Sequence, residues 1–446
     1  EYFSDGLTEE IIADLSHIND LLVISRSSAM TFKGTKKKIR EIANEVNVRY
    51  ILEGSVRKAE NNLRITAQLI DAATDSHLWA EKYNGTLDDI FIIQENVARS
   101  ISDTLKIKLG SGELHKIYEN KIDNKEIYDI YLKAQIAFRT MTNAGINQAI
   151  QYINHGLETI GDNDKLYALM GSMHLTRIEM GFTREKSVFK KVEECRDKVF
   201  AMNPDSPDGH YLGGHIKRWQ GDVIGSIQSY NKAIDIQPNH FWANSYRSWN
   251  YAFSGHGEIA KESIDKIIKT DPLNPVSHMM AGSVETLMGN FSGAQEKMRK
   301  AFEMDPNPFF GWWLLKTLAY ANRIDEAYKL IEQFSDMADD VVWAKLGIIF
   351  KYALEGDEEK VLEFYTEALK KMYEGDELYG VWAAESFALV GHKQEALKWL
   401  EVSINNQMLN YPFLAEHNVF LKTLHNEERF KKLMEQIKPK WRAFKV

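Results

Sequence analysis

The apolar positions of the first hundred residues change their period several times. Thr8, followed by Glu9 and Glu10, marks a helix N-terminus, and Ile11, Ile12 and Leu15 recur on one helical face. Leu21 to Ser25, four apolar residues closed by a serine, reads as a buried strand. Lys36 to Val46 has the spacing of a second amphipathic helix. From Arg49 to Arg57 and from Leu63 to Ile70 the apolar residues alternate, and Glu60-Asn61-Asn62 reads as the hairpin turn between two strands. His77 to Tyr83 predicts a third strand, and a helix from Leu87 to about Leu109 closes the region. The order helix, strand, helix, three strands, helix describes a small mixed α/β domain over residues 1–112.

Gly110-Ser111-Gly112 is a natural break, with 113–125 as linker, and beyond it the period is helical throughout. Here the chain repeats itself. Pro204, Pro238, Pro272 and Pro306 stand 34 residues apart, and Gly221, Gly255 and Gly289 keep the same interval. Gly214, Ser248 and Gly282 are in phase as well, as are Ser226, Ala260 and Ala294. A glycine that permits a tight turn, a proline that ends the next helix and small residues where helices meet define a helix–turn–helix unit in tandem. The phase slips outside this run, but Ala149, Ala327 and Ala396 recur in similar second-helix contexts. About eight hairpins are expected over 126–410, with 411–446 as a helical cap.

Composition narrows the function classes. The chain has 446 residues, of which 44% are hydrophobic and 27% charged, as in ordered globular proteins. Its net charge is −9; residues 1–110 carry 14 Lys and Arg against 17 Asp and Glu, a net of −3, which leaves −6 for the rest. No half is basic, so nucleic acid is not the expected partner. Cys195 is the only cysteine, and an isolated thiol in a helical stretch reads as filler rather than nucleophile. The apolar runs, such as Phe309 to Leu315, are too short to cross a bilayer. There is no glycine-rich phosphate loop, and His210 and His215, five apart, fit no usual zinc pair. No cofactor, metal or catalytic set is expected within these residues. The basic run Lys33, Lys36, Lys37, Lys38 and Arg40 reads as a solvated surface, and Glu53, Arg57, Arg64 and Asp71 as ion pairs across the hairpin rather than a ligand site.

The phased unit resembles the tetratricopeptide repeat, although the expected aromatic is kept at Tyr251 and replaced by Lys217 and Glu285. The first 110 residues resemble the TolB-like domain that precedes such repeats in bacterial signalling proteins. That likeness rests on Tyr2 to Glu10, Tyr50 to Arg57, Arg64 to Ala72 and Leu78 to Tyr83. Family members usually carry an apolar strand just before the first of these segments, and an upstream part is expected because the chain opens on Glu1 rather than on methionine. In the family the module follows a class III adenylate or guanylate cyclase domain or a winged-helix domain, often with a membrane helix between.

The resemblance thus implies a small α/β domain followed by an all-α tetratricopeptide solenoid, acting as a non-catalytic regulatory module that binds a protein or peptide in its groove. The alternatives are the C-terminal part of a cyclase and a stand-alone assembly scaffold. A cytoplasmic location is expected, the alternative being a periplasmic one tethered by an upstream helix; oligomers are compatible with either. In such arrays the first helix of each hairpin lines the groove. By phase this places Tyr211, His215, Arg218 and Trp219 there, then Trp242, Ser245 and Trp249, then Phe309, Trp312 and Lys316. Aromatic residues and arginine carry most interface energy where they occur.

Overall fold

The computed structural model describes residues 2–16, 18, 21–59, 62–86, 89–105, 125–138, 142–179, 182–183, 185–338, 341–375 and 377–445. Of the linker expected over 113–125, residues 113–124 lie outside them, as do the ends of the helix expected over 87–109, while Lys125 already opens a helix.

The α/β region consists of α1 (Tyr2–Ser16), a one-turn α2 (Arg26–Met30), α3 (Ile39–Glu45), strands β1 (Tyr50–Ala59), β2 (Asn62–Asp71) and β3 (Ser76–Thr86), and α4 (Ile90–Thr104). The strands form one antiparallel sheet in the order β1-β2-β3. Alternation decides which face is covered. Leu63, Ile65, Ala67 and Leu69 point to one side of β2, where they meet Leu7, Ile11 and Leu15 of α1 and Ile90, Ile93, Val97 and Ile101 of α4. The other face of the sheet carries Glu53, Ser55, Arg57, Arg64, Ala80 and Lys82, all exposed.

Several local expectations are corrected here. Ala59 pairs with Asn62, so Asn62 belongs to the ladder rather than to the turn; Glu60 and Asn61 lie outside the described residues. Leu21 to Ser25 is no strand and joins no sheet among the described residues. Leu21 and Val23 rest on the core while Leu22 is 51% exposed, so the apolar run is satisfied by packing rather than by a ladder. Its end is fixed elsewhere: the Ser25 N–H donates to the Thr270 carbonyl at 2.7 Å. The four residues expected to pair across the hairpin do not do so. Asp71 takes Arg49 at 2.9 Å, Glu53 accepts from Gln68 Nε2 at 2.6 Å, and Arg57 stands opposite Arg64.

The helices that follow pair in sequence. They are α5 (Lys125–Phe138) and α6 (Asn143–Ile160), α7 (Asp164–Glu179) and α8 (Lys186–Met202), α9 (Pro207–Trp219) and α10 (Val223–Ile236), and α11 (Phe241–Phe253) and α12 (Gly257–Thr270). Then come α13 (Pro275–Leu287) and α14 (Phe291–Met304), α15 (Pro308–Tyr320) and α16 (Ile324–Phe334), α17 (Val342–Glu355) with two short helices, α18 (Glu358–Phe364) and α19 (Glu367–Glu374), and α20 (Glu377–Leu389) with α21 (Lys393–Asn405). A π turn at Phe413–His417, a 3-10 turn at Val419–Leu424 and α22 (Glu428–Ala443) complete the chain.

The punctuation has a physical reading. Each phased proline stands two residues beyond a second helix: Pro204 after Met202, Pro238 after Ile236, Pro272 after Thr270 and Pro306 after Met304. Gly221, Gly255 and Gly289 have φ of 81°, 76° and 79°, the left-handed conformation that ends a helix in a Schellman turn. The same paired bonds recur at Asn322, Gly356 and Gly391, so six first helices end alike. Small residues mark close approaches: a Cβ on Gly214 would lie 2.3 Å from the Tyr230 ring, and one on Gly282 would lie 2.8 Å from Met298.

By its contacts the chain divides into two compact units. The first holds residues 1–216, 229–240 and 269–273. Within it Asp271, 2% exposed, accepts hydrogen bonds from the hydroxyls of Ser25, Ser27 (2.7 Å) and Ser28 (2.6 Å), while Ser28 Oγ also accepts the Leu273 N–H at 2.9 Å. The start of α2 is thereby pinned to the loop after α12. This unit also buries His174, whose Nδ1 has no partner among the described residues. Burial first, then Lys191 and Arg177, holds its pKa down to about 4. The unfolded chain therefore takes up a proton near pH 6.5 that the folded one refuses. Stability should be full above pH 6.5 and fall by about 3 kcal/mol as pH drops toward 4. Denaturant titrations of wild type and His174→Gln at several pH values check this, because the variant should lose that part of the slope. Cys195 is buried in the same unit, and its thiol is pushed up to about 12 by burial, as a packing residue should be.

The second unit holds residues 217–228, 241–268 and 274–446. Its C-terminal segment runs along the turns of its own repeats. The Leu409 N–H donates to the Phe253 carbonyl at 3.0 Å, and Asn410 Nδ2 donates to the carbonyls of Ala252 (2.8 Å) and Leu287 (3.0 Å). Trp441 Nε1 donates to the Gly255 carbonyl at 3.2 Å. A Cβ at Gly255 would lie 2.7 Å from Trp441, and one at Gly289 would lie 2.5 Å from His417. At Gly356 and Gly391 the space is open. The middle glycines thus serve close approach as well as a positive φ.

Candidate partner-binding surface

The first helices of the second unit carry aromatic residues at helical spacing, and packing joins them into one row. On α11, Trp242 lies 6.2 Å from Tyr246, which lies 5.5 Å from Trp249 (ring centroids). Trp249 meets Trp313 of α15 at 6.4 Å, and Trp313 meets Trp382 of α20 at 5.4 Å. Trp382 stacks on Tyr379 at 4.9 Å, Tyr379 meets Trp343 of α17 at 6.1 Å, and Trp343 meets Phe309 of α15 at 4.9 Å. Each such pair is worth about 0.5–1.5 kcal/mol beyond area burial, so the row is a stiff element. It also reaches the surface: Trp242 is 39% exposed, and Trp249, Phe309, Trp343 and Tyr379 are half-buried.

Its polar character is one-sided. The indole N–H groups of Trp249, Trp312 and Trp313 are buried without an acceptor among the described residues. Trp312 (5.1 Å) and Trp313 both meet Trp382 in edge-to-face contacts. At one end Arg218, in the last turn of α9, pairs with Glu377 in the first turn of α20 and lies 5.9 Å from the Tyr246 ring centre. That charge pair is internal, so what the row presents at the surface is ring area.

A buried polar cluster sits on the same helices. Lys316 and Glu385 form an ion pair whose side chains are 3% and 0% exposed. Glu385 also accepts from the Tyr320 hydroxyl and from Asn418 Nδ2, the latter at 2.6 Å. The ammonium lies 3.8 Å from the Phe350 ring centre, with Tyr320 at 5.0 Å and Phe420 at 5.1 Å. Burial pulls the Lys316 pKa below its ordinary value, and Glu385 opposes that pull. Burial, with Glu385 adding to it, holds the Tyr320 hydroxyl well above its own.

The residues expected to line a groove therefore divide. Trp242, Trp249 and Phe309 are members of the row with surface to offer, and Trp219 is half-exposed. Ser245, Trp312 and Lys316 are buried, which corrects the groove-facing expectation for them. Ser245 Oγ donates to the Phe241 carbonyl at 2.9 Å, and Lys316 is consumed by Glu385. Arg218 is engaged by Glu377. Tyr211 and His215 are likewise buried, in the first unit, with ring centres 4.9 Å apart and Tyr230 beside both. Tyr246, Trp313, Trp343, Tyr379 and Trp382 were not anticipated. The signal for Tyr246 was the i,i+4 aromatic spacing of α11, and for Trp313 the same spacing from Phe309 on α15; Trp343, Tyr379 and Trp382 continue the aromatic habit on α17 and α20.

Elsewhere the basic run is a solvated surface: Lys33 pairs with Asp5 at 2.7 Å and Lys37 with Glu45 at 2.5 Å. Among the described residues, no group of His, Cys, Asp and Glu is placed to hold a metal. No described helix is long and apolar enough to cross a membrane.

No family model matches the chain. Over 157 residues, 35% of its length, it is 41% identical to the protein named "Putative adenylate cyclase 3" of Rhizobium meliloti (strain 1021). Over 153 residues, 34% of its length, it is 21% identical to the transcriptional regulator HilA of Salmonella typhimurium. The chain spans 27% of the length of each of these curated relatives. Among solved structures, it is similar to a tetratricopeptide repeat protein from Parabacteroides merdae, with a TM-score of 0.38 and 11% identity over 62% of this chain and 100% of that one. It is also similar to human IFIT1, with a TM-score of 0.45 and 14% identity over 71% of this chain and 78% of that one. By its own elements the fold is a small α/β domain followed by a repeated array of helical hairpins.

Proposed function

We propose that this chain is a non-catalytic regulatory and interaction module of a bacterial signalling protein, which binds a protein or peptide partner on the aromatic row of its second unit. The α/β region acts as a TolB-like domain, and partner binding biases an equilibrium that an attached effector reads. The observation that carries this reading is the row itself: connected rings from four helices, held stiff by one another, with Trp242, Trp249, Phe309, Trp343 and Tyr379 reaching solvent. We place its action in the cytoplasm, with a tethered periplasmic setting as the competitor.

The test starts from a displayed peptide library selected against the full chain. Peptides recovered should bind the wild type, and Trp242→Ala combined with Trp249→Ala should weaken that binding by roughly tenfold, the cost of losing a central aromatic contact. A selection without binders, or binders indifferent to both substitutions, would sink the proposal.

A second reading is favoured by one specific observation, the 41% identity to the protein named as an adenylate cyclase. On this reading the chain is the part of a class III cyclase that follows its catalytic domain. The encoding gene decides it: a cyclase domain in the same reading frame supports the reading, and a frame without one ends it.

A further inference from the structure

The open face of the sheet in the first unit presents a charge arrangement that internal pairing leaves unexplained. Arg57 and Arg64 are direct partners in the β1–β2 ladder, so their Cβ atoms lie about 5 Å apart on one face. One row along that face Ser55 pairs with Thr66, and Thr66 pairs with Lys82 of β3. Arg57, Arg64 and Lys82 are all exposed. Among the described residues none of the three has an ion pair; the one side-chain bond is from Arg64 Nε to the neutral Asn84 Oδ1, at 3.0 Å. Among the described residues the next carboxylate in register on the face is Glu53, a further row away, and it is engaged by Gln68. Two like charges directly opposite each other destabilise a strand pair. In a chain of net charge −9, a strip of three cations without an acid is a local exception.

The face also excludes some ligands. Small molecules favour concave sites, and this is the open side of a three-stranded sheet. A nucleic acid asks for a long basic track, and this strip has three cations followed by Glu53. Exposed Ala80, and Leu78 at 41% exposure, add apolar contact on β3 beside the charges. We infer that the outer face of the sheet docks an acidic segment of a protein partner. Its carboxylates bridge Arg57 and Arg64, each guanidinium taking an oxygen pair, while Lys82 adds charge at the flank. This surface is separate from the aromatic row, and the inference stands whether or not that row binds a peptide.

The experiment uses the full chain and fluorescence anisotropy with a labelled glutamate peptide of about ten residues, a glutamine peptide of equal length and a single-stranded oligonucleotide. The glutamate peptide should bind in low salt and weaken severalfold at about 0.2 M salt, where exposed charges are screened. Arg57→Gln with Arg64→Gln should weaken it about fivefold or more, as expected from two lost charge pairs. The melting temperature of that variant should hold or rise, because a repulsive pair has been removed. Lys36→Gln with Lys37→Gln, the control basic run, should leave binding within about twofold. Equal binding by the arginine variant, an equal loss in the lysine control, or tighter binding of the oligonucleotide would each overturn the inference.

Discussion

Glu385→Leu should destabilise the second unit by about 3–5 kcal/mol, among the largest effects of any single substitution in this chain. The reason is what the carboxylate leaves behind. Lys316, Tyr320 and Asn418 all donate to Glu385, and all three are buried. Without the acceptor, the ammonium faces Phe350, Tyr320, Phe420 and Trp312 with no counter-charge, and the neighbouring hydroxyl and amide lose their bonds. Ring faces attract a cation, but by less than a buried charge requires. Lys316→Met combined with Glu385→Leu should recover most of the loss, since replacing both partners by apolar groups removes the orphaned charge. Equilibrium denaturation measures both variants. A loss below about 1 kcal/mol for Glu385→Leu, or no recovery in the double variant, would refute the account.

The second large effect lies in the first unit. Asp271→Ala removes the common acceptor of Ser25, Ser27 and Ser28, and Ser28 is fully buried. Bonds to a charged acceptor contribute about 1.5–3 kcal/mol each and are not additive, so a local loss of about 2–4 kcal/mol is expected. Because α2 is a single turn capped by Ser25, it has little stability of its own. Hydrogen exchange should therefore show amides of 26–31 opening readily in the variant while those of β2 keep their protection. Unchanged protection across α2 would mean that the serine clasp is incidental.

How much of this was legible in the residues depends on range. The repeats could be read because Gly221, Gly255, Gly289 and the prolines act locally, each through its own backbone preference. The hairpin could be read from alternation, and Arg57 opposite Arg64 follows once Asn62 is counted in the ladder. Leu21 to Ser25 could not be read, because a strand belongs to a pair of segments and hydrophobicity specifies only that one side is buried. Lys316 was assigned to the groove by its repeat phase alone. Its partner lies 69 residues away, and nothing near either residue announces the other. The aromatic row has the same character: spacing within α11 was visible, while the step from Trp249 to Trp313 depends on how the helices stack.

The C-terminal segment seated on the repeat turns changes what kind of array this is. An open solenoid can gain or lose a unit, because each repeat contacts only its neighbours. Here Asn410 must find carbonyls 158 and 123 residues earlier, and Trp441 must reach Gly255, 186 residues before it. Deleting one hairpin would put every one of these contacts out of step, so the number of repeats is locked in this unit. The same contacts delay its completion during synthesis: the turn at Gly289 stays uncovered until His417 has been made, and the turn at Gly255 until Trp441 has.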